Sequence, residues 1–238
     1  MFRFDEFREV HSASGASPKT TDAVLQYHRA AGRLRNLRRG LYANAAEEVD
    51  PFVLASRLSK DAVIAYDGAL MFHGLWRFDH SISFLTRTRV SRFVDDDVVY
   101  QPVKVPAVLG RDWGGHILSV ERAGQQLRVT SRERTLVDLL DRLDLGPGVR
   151  PLWDCFRACR PNWSELISYA SRLENRIVVG RLAVFLQQLG ATNRVLNRLD
   201  GLAPRFACYF DKRDERKGGQ LFPRWNVIVS KALMRHIG

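Results

Sequence analysis

The sequence predicts an α+β protein: a small N-terminal winged-helix-like domain followed by a larger mixed α+β C-terminal domain. Three observations carry this. The first 45 residues fit two helices and an arginine-rich hairpin. An acidic stretch closed by proline, Ala43 to Pro51, then reads as a linker, and beyond it short alternating segments give way to amphipathic helical ones. The head is therefore placed at residues 1–45 and the body at 51–238.

Charge divides the chain in the same place. Over 238 residues, 37 Lys and Arg stand against 26 Asp and Glu, a formal +11. The first 45 residues hold 8 basic and 4 acidic side chains, whereas residues 46–110 hold 7 and 9. Such an excess bears on partners rather than on fold, and nucleic acid or an anionic membrane is the usual one.

In FRFDEFREVHSA, Phe2 and Phe4 alternate and Phe7 and Val10 follow at helical spacing, so a short strand leads into a helix. Ser17 caps a second helix whose first position is Pro18, where a missing N–H costs nothing. Its apolar face is read as Ala23, Tyr27, Ala30 and Ala31, with Thr21, Gln26 and Arg29 off it. Gly32 ends it. RLRNLRRGLYAN then reads as a hairpin turning at Arg39-Gly40, and the opposite parity of Leu34 and Leu37 calls for a bulge. Only two helices fit before Gly32, where a winged helix usually has three. The head is either trimmed or packed on surface borrowed from the body.

In the body, FVLASRL reads as a helix, AVIAY as a buried strand and GALMFHGL as a short helix stopped by Gly74. SISFLT and HILSVER alternate as strands, and VVYQPVKVPAVL supplies one or two more. SRERTLVDLLDRL, PLWDCFRAC, NWSELISYASRL and RIVVGRLAVFLQQLG are amphipathic helices, and strand-like RFACYF and RWNVIVS flank a charged loop.

Several chemistries are set aside. Cys155, Cys159 and Cys208 form no disulfide framework, and the first two lack a second Cys/His pair for zinc, so packed, reduced thiols are expected. No apolar run approaches the roughly 20 residues that span a bilayer. The N-terminus has no signal-peptide core, so a cytoplasmic protein is expected. Asp95, Asp96 and Asp97 would point alternately if extended and read as a charged turn, not a metal site. His73 is expected to cap the carbonyls at its helix end. No phosphate-binding, nucleophile-elbow or zincin motif occurs. Catalytic residues, metal and cofactor are therefore all read as none.

A helix followed at once by a basic hairpin is the layout of a winged helix. Lys19, Thr20 and Thr21 stand at the N-terminus of the helix, where free N–H groups favour phosphate. Gln26, His28 and Arg29 suit base edges. Arg33, Arg35, Arg38 and Arg39 would take phosphates or reach the minor groove, and Tyr42 is counted with this DNA-facing set. Two other readings stand beside it: a nuclease or nucleotidyltransferase-like enzyme guided by a DNA-binding head, and a module whose basic face meets RNA or an acidic protein.

Three blocks resemble the AbiEi family, the antitoxins and transcriptional regulators of abortive-infection type IV toxin–antitoxin systems. They are GRLRNLRRGLYAN (Gly32, Leu34, Arg39, Gly40, Tyr42), DPFVLASRLSKDAVIAYDGALMFHGL (Asp50, Pro51, Ala69, Leu70, His73, Gly74, Leu75) and VTSRERTLVDLLDR (Glu133, Arg134, Thr135, Leu136, Asp138, Leu139, Leu140). With ISYASRLENRIVVGRLAVFLQQLGA the resemblance runs to about residue 200. It implies a winged-helix head that binds inverted or direct repeats in its own promoter and represses the operon. It also implies an α+β domain that counteracts a nucleotidyltransferase toxin without a stable complex, and it gives Arg33, Arg35, Arg38 and Arg39 a DNA role.

Overall fold

Strand β1 (Phe2–Arg3) leads into helix α1 (Phe4–Ala13), as the phenylalanine spacing predicts. The structure, a computed structural model, describes residues 1–77 and 79–238 of a mixed α+β protein. Helix α2 (Pro18–Ala30) and the hairpin of β2 (Leu34–Arg38) and β3 (Leu41–Asn44) follow. Strand β3 lies between β1 and β2, antiparallel to both. The register steps between Asn36 and Arg38, leaving Leu37 as the extra residue that the parity break called for. Gly40 turns the hairpin at φ +74°, a conformation that strains any side chain.

The face of α2 is not the one expected. Thr21, Val24, Leu25 and His28 turn inward, while Ala23, Tyr27 and Ala30 lie in solvent beside Gln26 and Arg29. The inward set has the i, i+3, i+4, i+7 spacing and includes Leu25. The alanine face had little apolar area to bury.

Beyond the acidic stretch come α3 (Pro51–Arg57), β4 (Val63–Ile64), α4 (Tyr66–Phe72), β5 (Ser81–Thr86), β6 (Phe93–Asp95), β7 (Val98–Lys104), β8 (Ile117–Arg122) and β9 (Gln125–Thr130). The six strands form one sheet in the order β6-β7-β5-β4-β9-β8. AVIAY yields a two-residue strand because Tyr66 already starts α4, and VVYQPVKVPAVL yields one strand followed by a 3-10 turn. Strand β9 carries no clear alternation and is fixed by pairing, antiparallel with β8 and parallel with β4.

Helices α5 (Arg132–Asp141), α6 (Val149–Cys159), α7 (Trp163–Arg172), α8 (Arg176–Gln188) and α9 (Asn193–Leu196) follow. A small sheet of β10 (Cys208–Tyr209), β11 (Gly219–Phe222) and β12 (Val227–Ser230), then α10 (Lys231–Ile237), completes the chain. Alternation in the large sheet feeds two cores. Val63 and Leu85 join the helices α5–α8, whereas Ile64, Ile82 and Phe84 join α3 together with Leu37, Leu41 and Ala43 of the hairpin. One face of the head's sheet is thus packed on the body.

The E-R-T-L-x-D-L-L segment is built around a buried cation. Arg134 is fully buried; its Nη1 donates to the carbonyls of Trp113 (2.6 Å) and Gly115 (2.7 Å), and its Nε faces Asp138 Oδ2 at 3.3 Å. Tyr169 donates its hydroxyl to Asp138 Oδ1 at 2.7 Å. Burial pushes the Asp138 carboxyl up, to about 6, against Arg134 and Tyr169, which lower it. His73 uses Nε2 on the Thr130 carbonyl (2.7 Å), joining α4 to β9 instead of capping its own helix.

A second carboxylate organises the loop after β5. Asp61 accepts from the hydroxyls of Ser59, Thr86 and Thr88 and from the Arg87 amide. Burial alone would raise its carboxyl, but these bonds together hold it well below the usual range.

Two outcomes follow from these groups. Arg134→Met strands Asp138 in the core and should cost about 3–5 kcal/mol in chemical denaturation. A carboxyl depressed by folding stabilises above its unfolded value, near 3.8 for Asp61, and loses that contribution as pH falls through the folded value. Asp61→Asn should therefore lower the Tm at pH 7, and the gap to the native protein should narrow below about pH 4.

Candidate nucleic-acid interface

The interface begins with how α2 is started. Ser17 Oγ accepts the Thr20 amide at 3.1 Å and lies 2.9 Å from the Thr20 hydroxyl, with Pro18 at the first helical position. At the other end, Gly32 (φ +67°) lets the Arg33 amide reach the His28 carbonyl at 3.0 Å. Arg33 therefore leaves α2 with its guanidinium over the exposed Tyr27 ring, 5.7 Å from the centroid. On the same outward face Arg29 Nη1 donates to Gln26 Oε1 at 3.2 Å.

Of the eleven residues singled out from the sequence, ten divide into three groups. Lys19, Thr20, Gln26, Arg29, Arg33 and Arg39 are exposed on the outer face of α2, at its end and at the hairpin turn. Arg38 and His28 are half-buried, and Arg38 Nη1 is enclosed without a hydrogen-bond partner. Thr21 and Tyr42 are withdrawn from the surface. Thr21 is 0% exposed with its hydroxyl on the Ser17 carbonyl (3.1 Å), and Tyr42 stacks on Phe2 at 5.8 Å inside the head. Both pack the head, so neither is positioned to touch DNA.

Arg35 has a different setting. On the body-facing side of β2, its Nη2 lies 3.2 Å from Asp95 Oδ2 and its Nη1 3.3 Å from Asp96 Oδ2. By contrast, among the described residues Lys19, Arg29, Arg33, Arg38 and Arg39 have no carboxylate within ion-pair distance. The one acid exposed on α2 is Asp22.

The head is tied down at its other end by residues the sequence did not single out. Arg57 of α3 grips Glu6 through Nη1 and Nη2 (2.7 and 2.5 Å), Arg3 donates to the Arg57 carbonyl (2.7 Å), and Lys60 lies 3.4 Å from Asp5. A polar cavity of about 310 Å³ opens there, lined also by Gln126 and Arg128. No local spacing could have announced pairs 51 to 61 residues apart. The packed face of α2, in contrast, was available from its own period. Among the described residues no group of three or more His, Cys, Asp or Glu could hold a metal ion. Burial pushes the thiols of Cys155 and Cys159 up to about 11.

The chain resembles a known fold. It is similar to the crystal structure of the RV2827C protein from Mycobacterium tuberculosis, with a TM-score of 0.60 at 15% identity over 95% of this chain and 85% of that one. No family model and no curated protein matches the sequence. At this identity the likeness concerns the fold.

The cap that starts α2 also positions its cations. Ser17→Ala should cost about 1 kcal/mol of helix stability, seen as faster amide exchange across Pro18–Ala30 with exchange in α5–α8 unchanged.

Proposed function

We propose that the protein is a DNA-binding transcriptional regulator whose head is a reduced winged helix. In this reading α2 enters the major groove and the β2–β3 hairpin lies on the neighbouring backbone, with residues 1–45 as the DNA-binding unit and 51–238 as the body. One observation carries the reading: Lys19, Arg29, Arg33 and Arg39 share the exposed surface of α2 and the hairpin turn, and none has an acidic partner among the described residues. Phosphates supply the missing counter-charge. Gln26 presents an amide that can pair with adenine in the major groove. The exposed Tyr27 ring and the Arg33 plane beside it add a stacking surface.

The biological role rests on the resemblance to the AbiEi family. It makes the protein the repressor of its own operon and the antitoxin against a nucleotidyltransferase toxin encoded alongside. Binding, not catalysis, is the activity assigned to it. Co-expression with the neighbouring nucleotidyltransferase tests this part: restored growth supports it, and toxicity unaffected by this chain overturns it.

For DNA binding, gel retardation on promoter duplexes should give a log–log salt slope of roughly −4 to −5. The Arg29→Ala, Arg33→Ala, Arg39→Ala triple variant should lose about three units of that slope and most of the retardation at 150 mM salt. Retention by the triple variant equal to that of the native protein would remove the assignment.

A further inference from the structure

The proposed head contains one cation whose pairing runs against its presumed task. Arg35 lies in the hairpin among arginines that have no carboxylate partner among the described residues, yet its guanidinium is divided between two carboxylates of the body. These belong to the β6–β7 turn, where Asp95 pairs in register with Val98 and Asp96 occupies the left-handed region at φ +47°. The turn is one wall of a cleft of about 470 Å³ between hairpin and body. Glu47, Glu48 and Asp97 line it as well, so the lining of the cleft holds five carboxylates and one arginine, two of the carboxylates in contact with it.

The arrangement has the charge pattern of a nucleic-acid backbone: closely spaced anions meeting a basic hairpin. Its strength is limited by solvent. Asp96 is 76% exposed and Arg35 37%, so that half of the contact is weak and screened by salt, while Asp95, 16% exposed, supplies the more sheltered half. A contact of this kind holds Arg35 in the free protein and gives it up to a stronger polyanion at small cost. While it holds, the other acids of the cleft repel phosphate from that flank of the hairpin.

We propose that the Asp95–Asp96 turn is an intramolecular competitor for DNA: it occupies Arg35 and closes one flank of the hairpin, so that full engagement of a duplex requires Arg35 to change partners. This rests on the DNA-binding reading above. It makes the body an active restraint on affinity, and any partner that covers the turn would tighten DNA binding without touching the head.

The test uses the full chain with Asp95→Asn and Asp96→Asn together. Asparagine keeps the shape of the turn and tolerates the left-handed backbone at position 96. Binding to a mixed-sequence duplex of about 30 base pairs should tighten three- to tenfold, and the salt slope should steepen by about one as Arg35 gains a phosphate. Arg35→Ala should abolish the gain in the Asn/Asn background. Equal or weaker binding by the Asn/Asn protein, with an unchanged slope, overturns the proposal. A second readout needs no DNA: amide exchange across Leu34–Asn44 should quicken in the Asn/Asn protein, and unchanged exchange there also overturns it. If neither protein retards the duplex at low salt, and Arg29, Arg33 and Arg39 prove irrelevant, the DNA-binding reading fails. The exchange result still decides whether the turn holds the hairpin.

Discussion

A three-stranded sheet has two faces, and a pair of short helices covers one of them. This constraint governs the head. Phe2, Tyr42, Thr21 and Leu25 fill the side under α1 and α2, and α1 itself buries no residue completely. The opposite side presents Leu37, Leu41 and Ala43, which would stand in water if the head were alone. They are covered instead by α3 and the large sheet, in one cluster with Phe52, Val53 and Phe84. Burying two leucines contributes about 3–6 kcal/mol, whereas each exposed ion pair contributes about 0–1 kcal/mol. The apolar face therefore holds the head in place, and the pairs Glu6–Arg57 and Arg35–Asp95 select its orientation. That orientation turns the outer side of α2 to solvent, and the head, which has two helices, covers the second face of its sheet with surface borrowed from the body.

Many residues that carry the family resemblance have scaffold work in this fold. Asp50 accepts the amides of Phe52 and Val53 at the start of α3, and its other oxygen takes Arg122 Nε at 2.7 Å. His73 joins α4 to β9. Arg134, Asp138 and Tyr169 form a buried knot between α5 and α7 that also fastens the 3-10 turn through its carbonyls. Removing a partner from such a knot leaves a charge in the core, so these positions resist change for reasons unrelated to any ligand.

What was legible in the sequence was local. The Ser17 cap, Pro18 at the first turn, the ends at Gly32 and Gly74, the hairpin turn and the bulge at Leu37 each depend on a few neighbouring residues, and all occur where expected. What was illegible was decided across the chain. Strand β9 has two glutamines and an arginine in six residues and becomes a strand by pairing with β8 and β4. Arg35 reads as one more basic residue until Asp95 and Asp96 arrive from 60 residues away. On α2, counting apolar residues favoured the alanines, while the volume of Leu25 settled which side turned inward.

The cations of the head can be sorted by whether folding has a use for them. Arg3 and Arg35 tie the head to the body, and Arg57 and Lys60 answer it from α3 and the residues beyond. Lys19, Arg29, Arg33 and Arg39 do no such work, since each ends in solvent without a carboxylate among the described residues. Repulsion between like charges at this spacing opposes compaction, slightly at physiological salt and more at low salt. A surface shaped by stability alone would intersperse acids among them, as residues 46–110 do with 9 acids to 7 bases. The head keeps its imbalance on residues that lie in solvent, and the proposed DNA backbone would give that imbalance its counter-charge.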